Sequence, residues 1–163
     1  MRLFRHLFTT RGAGRRAFNS QSLKAIQEVI KQGESQHRAE LRLMIEPGLS
    51  LWDLLSGTRP RQRARELFVH YRIWDTEENS GILLYLNLAD RQLEIIADRG
   101  VARLLDAKQW QQISRTMTSG FAAGRYEESV VQAITELNAL LQKVLPAGGG
   151  SHRNELPDRP LIL

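Results

Sequence analysis

The chain has 163 residues, 42% of them apolar and 25% charged, which fits one globular domain with loose ends. It contains no cysteine, which excludes disulfides, thiolate zinc sites and cysteine nucleophiles. Residues 1–16 hold five arginines and no acid, accounting for the net charge of +5; the other 18 basic side chains match the 18 acidic ones, so the formally neutral body argues against a nucleic-acid groove.

From the N-terminus, residues 1–17 read as a basic flexible arm. If Arg2 to Phe8 turned helical, Leu3, Phe4, Leu7 and Phe8 would form one apolar stripe flanked by Arg2 and Arg5, suited to weak contact with an anionic membrane surface. A disordered terminus is the alternative. Thr9, Thr10 and Arg11 interrupt the apolar start, so a secretory core is missing. No run approaches the ~18 apolar residues of a membrane span. A cytoplasmic protein, peripheral to the inner membrane, is the expectation.

Residues 18–146 read as the domain. Asn19 or Ser20 caps a helix over about Ser20 to Gln36, with Leu23, Ile26, Val29 and Ile30 on one face. Glu40 to Glu46 alternates as a strand, stopped by Pro47-Gly48. Ser50 to Leu55 is a short insert of one or two helical turns. A second helix spans about Pro60 to Trp74, capped by Thr58, with Ala64, Leu67, Phe68 and Tyr71 inward. Its first turns carry Arg59, Arg61, Arg63 and Arg65, which oppose the helix dipole; they read as a solvated face paired with Asp53 or Glu66, or as a dock for an acidic partner.

Trp74 to Val101 is the most informative stretch: an acidic turn, an apolar strand (Ile82–Leu88), a polar reversal at Asp90-Arg91 and a second strand ending at Asp98-Arg99-Gly100. A tight reversal pairs Ala89 with Gln92, Leu83 with Asp98 and Gly81 with Gly100. Asp106 and Gln109 have capping-box spacing for a third helix, lined by Trp110, Ile113, Met117 and Phe121 and stopped by Gly124. A fourth helix runs from Tyr126 to Leu145 on Val130, Ile134, Leu137 and Leu141. Residues 147–163 form a flexible Gly/Pro-containing tail. Its Leu-Ile-Leu163 end either adds to a sheet edge or enters a groove on this protein or another, or stays disordered. Four amphipathic helices around three strands, one apolar on both faces, predict a three-layer α/β/α sandwich with a small mixed sheet and a central β-hairpin.

The order of these elements, with ENSGILLYLNLADRQLEIIADRGV and the later W-x2-I-x3-M-x3-F-x2-G-x-YEE-x-VVQAI, resembles the TPM-domain (TPM-phosphatase-like) family from about Leu23 to Leu145, in its bacterial branch. The resemblance implies an α/β/α sandwich. It also carries the acid phosphatase activity and divalent-cation binding reported for some members. The family's Asn-Asn-Gly before the central strand becomes Asn79-Ser80-Gly81, and its Asp-Arg reversal is kept as Asp90-Arg91. Its Gly-Tyr-Gly-Leu-Glu is replaced by Ala97-Asp98-Arg99-Gly100-Val101, which removes a family glutamate.

The predicted hairpin brings Asp98 back beside Asp75, Glu77, Glu78 and Asn79, and Asp106 returns to the same edge. Such an oxygen-rich set suits a hard cation, Ca²⁺ or Mg²⁺. The competing reading makes Glu77 and Glu78 a solvated turn, Asp106 a helix cap and Asp98 a partner of Arg99 or Arg103. Two functions follow. One is a binding or accessory module serving a membrane-associated partner, with a cation at the acidic edge. The other is a divalent-metal-dependent phosphatase, with Arg99 or Arg103 holding phosphate. The chain has no P-loop and no Gly-x-Ser-x-Gly elbow, and its histidines are scattered.

Overall fold

The computed structural model of the chain describes residues 6, 9, 11–148 and 153–163. The stripe expected over Arg2 to Phe8 lies, His6 apart, outside the described residues. Helices α1 (Arg11–Ala17) and α2 (Ser20–Glu34) lead into strand β1 (Glu40–Glu46), followed by α3 (Leu51–Leu55) and α4 (Pro60–His70). The hairpin β2 (Gly81–Asn87) and β3 (Gln92–Ala97) comes next, then α5 (Arg99–Ala102), α6 (Ala107–Ser119), a 3₁₀ turn at Phe121–Ala123 and α7 (Tyr126–Val144). A final strand, β4 (Leu161–Ile162), completes a sheet of order β3-β2-β1-β4.

Alternation along the strands assigns the two faces. Leu41, Leu43, Ile45, Ile82, Leu84 and Leu86 point into a core closed by α2, α6 and α7. Met44, Leu83 and Tyr85 point the other way, onto Ala64, Leu67 and Phe68 of α4 and onto Leu156 of the tail. Both faces of β2 are therefore buried, and the result is the three-layer sandwich that its unbroken apolar run predicts.

Helix boundaries follow local chemistry. Asn19 accepts from the Ser22 N–H, and Asp106 with Gln109 forms the reciprocal capping box. α4 starts without a side-chain cap, because Pro60 sets its first turn and Thr58 folds back to donate to the Asp53 carbonyl at 2.9 Å. It also ends earlier than expected. Arg72 adopts φ +51°, which turns the chain so that Ile73 is buried and Tyr71 stays 38% exposed.

The hairpin register differs from the tight-turn expectation by two residues: Asn87 faces Gln92 and Ile82 faces Ala97. Leu88 to Arg91 forms a four-residue loop in which the Asn87 side chain accepts the Asp90 N–H at 2.9 Å and Arg91 takes φ +53°. A two-residue shift preserves the inward set, since side chains alternate with period two.

Described residues from both terminal segments pack against the domain. Phe18, after α1, is buried, and His6 accepts the Leu49 N–H at 2.9 Å while lying 3.1 Å from Asp90. The tail takes the sheet-edge alternative: β4 runs parallel to β1, pairing Met44 with Leu161 and Ile45 with Ile162. No helix among the described residues is long and apolar enough to cross a membrane.

Candidate functional site

The acidic edge is built at the amino ends of β1 and β2. Thr76 Oγ1 accepts the Ser80 N–H at 2.9 Å and the Thr76 carbonyl accepts the Asn79 N–H at 3.1 Å, with Asn79 at φ +52°. This turn delivers Gly81 into the strand. On the returning strand the Asp98 N–H donates to the Gly81 carbonyl, and the Gly100 N–H donates to the Asn79 carbonyl, each at 2.9 Å. Asp98 and Asn79 are therefore neighbours. Gly100 lies so close that an added Cβ would sit 2.2 Å from the Glu78 carbonyl oxygen and 2.7 Å from that of Asn79.

The six sequence-predicted donors have separate fates. Glu78 binds Arg38 at 2.6 Å. Asn79 Oδ1 accepts from Arg99 Nε at 3.3 Å. Asp106 accepts the Gln109 N–H at 2.8 Å as the α6 cap. Asp75 and Glu77 are exposed, and the Glu77 N–H donates to the Glu155 carboxylate at 3.1 Å. Asp98 uses Oδ1 to accept the Arg99 N–H at 2.7 Å, while its buried Oδ2 has no hydrogen-bond partner. Among the described residues no three His, Asp or Glu side chains stand together as a metal-holding group. What the edge does present is narrower than the sequence suggests: one buried, unpartnered carboxylate oxygen, on Asp98.

Because Asp106 serves the helix terminus, Asp106→Ala should lower stability by about 1 kcal/mol, the usual worth of an N-cap. Urea unfolding should give the same loss with and without millimolar Ca²⁺. A loss that grows with Ca²⁺ would make Asp106 a ligand instead.

A second polar cluster, not singled out from the sequence, lies at the opposite ends of β1 and β2. Buried Glu46 accepts from the Tyr85 hydroxyl, and Arg63 Nη2 donates to it at 2.9 Å. Asn87 Nδ2 donates to Tyr85 at 3.3 Å. Burial, then the Glu46 charge, push the Tyr85 hydroxyl well above its ordinary value, so the phenol stays protonated. A cavity of about 690 Å³ opens beside it, bordered by Arg15, Glu46, Ser50, Asp53, Arg63 and Leu163. The pattern signal was Glu46 itself, an acid closing a strand that is buried along its whole length. The arginine row divides here: Arg63 reaches Glu46 and lies 3.8 Å from Glu66, and Arg61 binds Glu94 and the Ile95 carbonyl.

The three layers around a mixed sheet with a central hairpin define an α/β/α sandwich of the TPM type. The TPM-domain model matches residues 15–140, and the chain belongs to the TPM-domain family. Its fold is similar to the NMR structure of the BA42 protein from the psychrophilic bacterium Bizionia argentinensis, with a TM-score of 0.78, 21% identity, and coverage of 89% of this chain and 94% of that one. No curated protein matches the chain.

Proposed function

We propose that this TPM domain is a binding module that takes a divalent cation, Ca²⁺ or Mg²⁺, weakly at the Asp98 edge and serves a membrane-associated partner. The observation carrying the cation reading is Asp98 Oδ2, buried and without a hydrogen-bond partner at the edge where the Gly100 N–H pairs with the Asn79 carbonyl. A buried anionic oxygen without a donor is costly, and a hard cation relieves that cost. Asp75 and Glu77, exposed on the same loop, make no side-chain hydrogen bond or ion pair among the described residues and add negative potential. With few fixed ligands, affinity belongs in the millimolar range, where water completes the shell. The membrane-associated partner is supported by the five arginines of residues 1–16, of which Arg15 and Arg16 stand exposed on α1.

Amide NMR during titration with Ca²⁺ and with Mg²⁺ tests the site. Resonances of residues 75–81 and 98–100 should shift saturably at millimolar ion, and Asp98→Asn should abolish the shifts while leaving the remaining spectrum intact. Unmoved loop resonances would end the cation reading. Metal-dependent hydrolysis of a phosphomonoester, lost in Asp98→Asn, would replace the binding module with a phosphatase.

A further inference from the structure

The insert after β1 has its polarity inside out. Helix α3 buries none of its residues: Leu51 is 53% exposed, Trp52 79% and Leu55 72%. Polar groups turn towards the protein instead, with Thr58 buried and Asp53 half-buried. Ser50 caps the helix by accepting the Asp53 N–H at 3.1 Å, and its hydroxyl donates to the Asp53 carboxylate at 2.5 Å. At the other end the Asp53 carbonyl accepts the Thr58 N–H at 2.9 Å and the Ser56 hydroxyl at 3.1 Å, and Gly57 closes the turn at φ +73°. Local hydrogen bonds therefore hold three large apolar side chains outward on one short helix.

Cations flank this helix. Described residues of the N-terminal segment lie against its approach: His6 accepts the Leu49 N–H at 2.9 Å, and a Cβ on Gly48 would meet the His6 and Thr9 carbonyl oxygens at 2.8 and 3.1 Å. The segment that His6 anchors carries five arginines and no acid over residues 1–16. Arg15 of α1 borders the same cavity as Ser50 and Asp53, and Arg59 follows Leu55 by four positions. Arg15, Arg16 and Arg59 are exposed and make no ion pair among the described residues. The neighbouring acids are engaged, Glu46 by Arg63 and Asp53 by Ser50.

An outward tryptophan between two leucines, with unpaired arginines beside it, suits the headgroup layer of a membrane: indole rests at the interface and guanidinium groups meet lipid phosphates. A folded protein fits less well. At about 200 Å² or less apiece, three side chains fall short of the ~800 Å² that each partner gives a stable protein interface. On a membrane an apolar contact or a basic patch is weak alone, and the two together give stable attachment.

We propose that α3 is a membrane-docking wedge: Leu51, Trp52 and Leu55 enter the headgroup layer of an anionic phospholipid bilayer, and Arg15, Arg16 and Arg59 bind its phosphates. This rests on the membrane association proposed above and makes the lipid itself a ligand of the chain; neither a protein partner nor a cation at Asp98 takes part.

Co-sedimentation of the full chain with protein-free vesicles in EDTA tests the wedge. Vesicles with about one-third phosphatidylglycerol should bind the chain saturably and at least about 10-fold tighter than phosphatidylcholine alone. Trp52→Ser with Leu55→Ser should weaken that binding by about 10-fold or more without shifting the thermal melt, while Trp52→Phe keeps most of it. Arg15→Gln with Arg16→Gln should weaken binding to the anionic vesicles by about 10-fold and leave weak binding to neutral ones unchanged. Equal binding to both kinds of vesicle, or full binding by the doubly serine-substituted chain, would overturn the proposal. Binding to native membranes but not to vesicles would also overturn it, yet leave a membrane-associated protein as the partner; binding to neither would remove both. Should the serine variant not fold, the wild-type chain decides by NMR. A spin label on the acyl chains of anionic bicelles should broaden the Trp52 indole N–H resonance and spare those of Trp74, past the far end of α4, and Trp110, on α6. An untouched Trp52 resonance would refute the wedge.

Discussion

Glu34→Gln is expected to stabilise the protein at neutral pH, and to do so increasingly as the pH climbs toward 9. Glu34 ends α2, and its Oε1 accepts the Leu41 N–H at 2.9 Å on a part of the β1 edge that β4 does not reach. Burial pushes its carboxyl from 4.5 up to about 9; the Leu41 N–H pulls it down, and the Glu40 and Asp158 charges push it up again. The native chain thus holds a proton that the unfolded chain releases once the pH passes 4.5. Where the native state binds more protons, stability falls as pH rises, so Glu34 costs progressively more between about pH 4.5 and 9 and levels off above. Glutamine imitates the neutral acid, keeps an acceptor for Leu41 and is not subject to this titration. The gain at pH 7.5 should be on the order of 3 kcal/mol and should vanish near pH 4.5. Urea unfolding of both proteins at pH 4.5, 6, 7.5 and 9 measures it, and parallel stability curves would refute the assignment.

Gly81→Ala should be more disruptive still. An added Cβ would stand 1.9 Å from the Ile73 carbonyl oxygen and 3.0 Å from its carbon, and neither is a side chain that can swing away. The backbone there is pinned from both sides: Ile73 N–H donates to the Phe68 carbonyl at 3.0 Å, and Gly81 pairs with Glu40 and accepts from Asp98. Relief would require moving either the loop or the central strand. We expect a loss of about 3 kcal/mol or more, enough to leave a domain of ordinary stability partly unfolded. Circular dichroism melting and solubility on expression provide the measurement, and a melting temperature within a few degrees of wild type would contradict the tight approach. The glycine of the Asn79-Ser80-Gly81 motif is thus required by packing under Ile73, whatever the loop before it binds.

The parts of the fold that were legible rest on periodicity and caps. The α2 face, the strand Glu40–Glu46, the Asp106 capping box and the doubly buried β2 each follow from side chains near one another along the chain. The hairpin partner was legible as well, but its register was not: whether Asn87 captures the Asp90 N–H depends on a loop of four residues that a two-residue turn fits equally well on pattern alone. At the acidic edge, proximity of Asp98 to Asn79 followed from strand return. The fate of each carboxylate did not, because Arg38 reaches Glu78 from 40 positions away.

By itself, the amino-acid sequence determined the class of architecture, the order of the four main helices and the first three strands, most of their inward faces and the family, since each depends on residues interacting within one turn or along one strand; the helices Arg11–Ala17 and Arg99–Ala102, the strand β4 and the exposure of Tyr71 were not read from it. Tertiary structure alone decided the pairing of Glu46 with Arg63 and Tyr85, the seating of β4 beside β1 and the use of Arg42 and Glu40 on the tail backbone. Those contacts join segments up to 117 residues apart, and their energy depends on burial and distance, which no local spacing of residue types specifies.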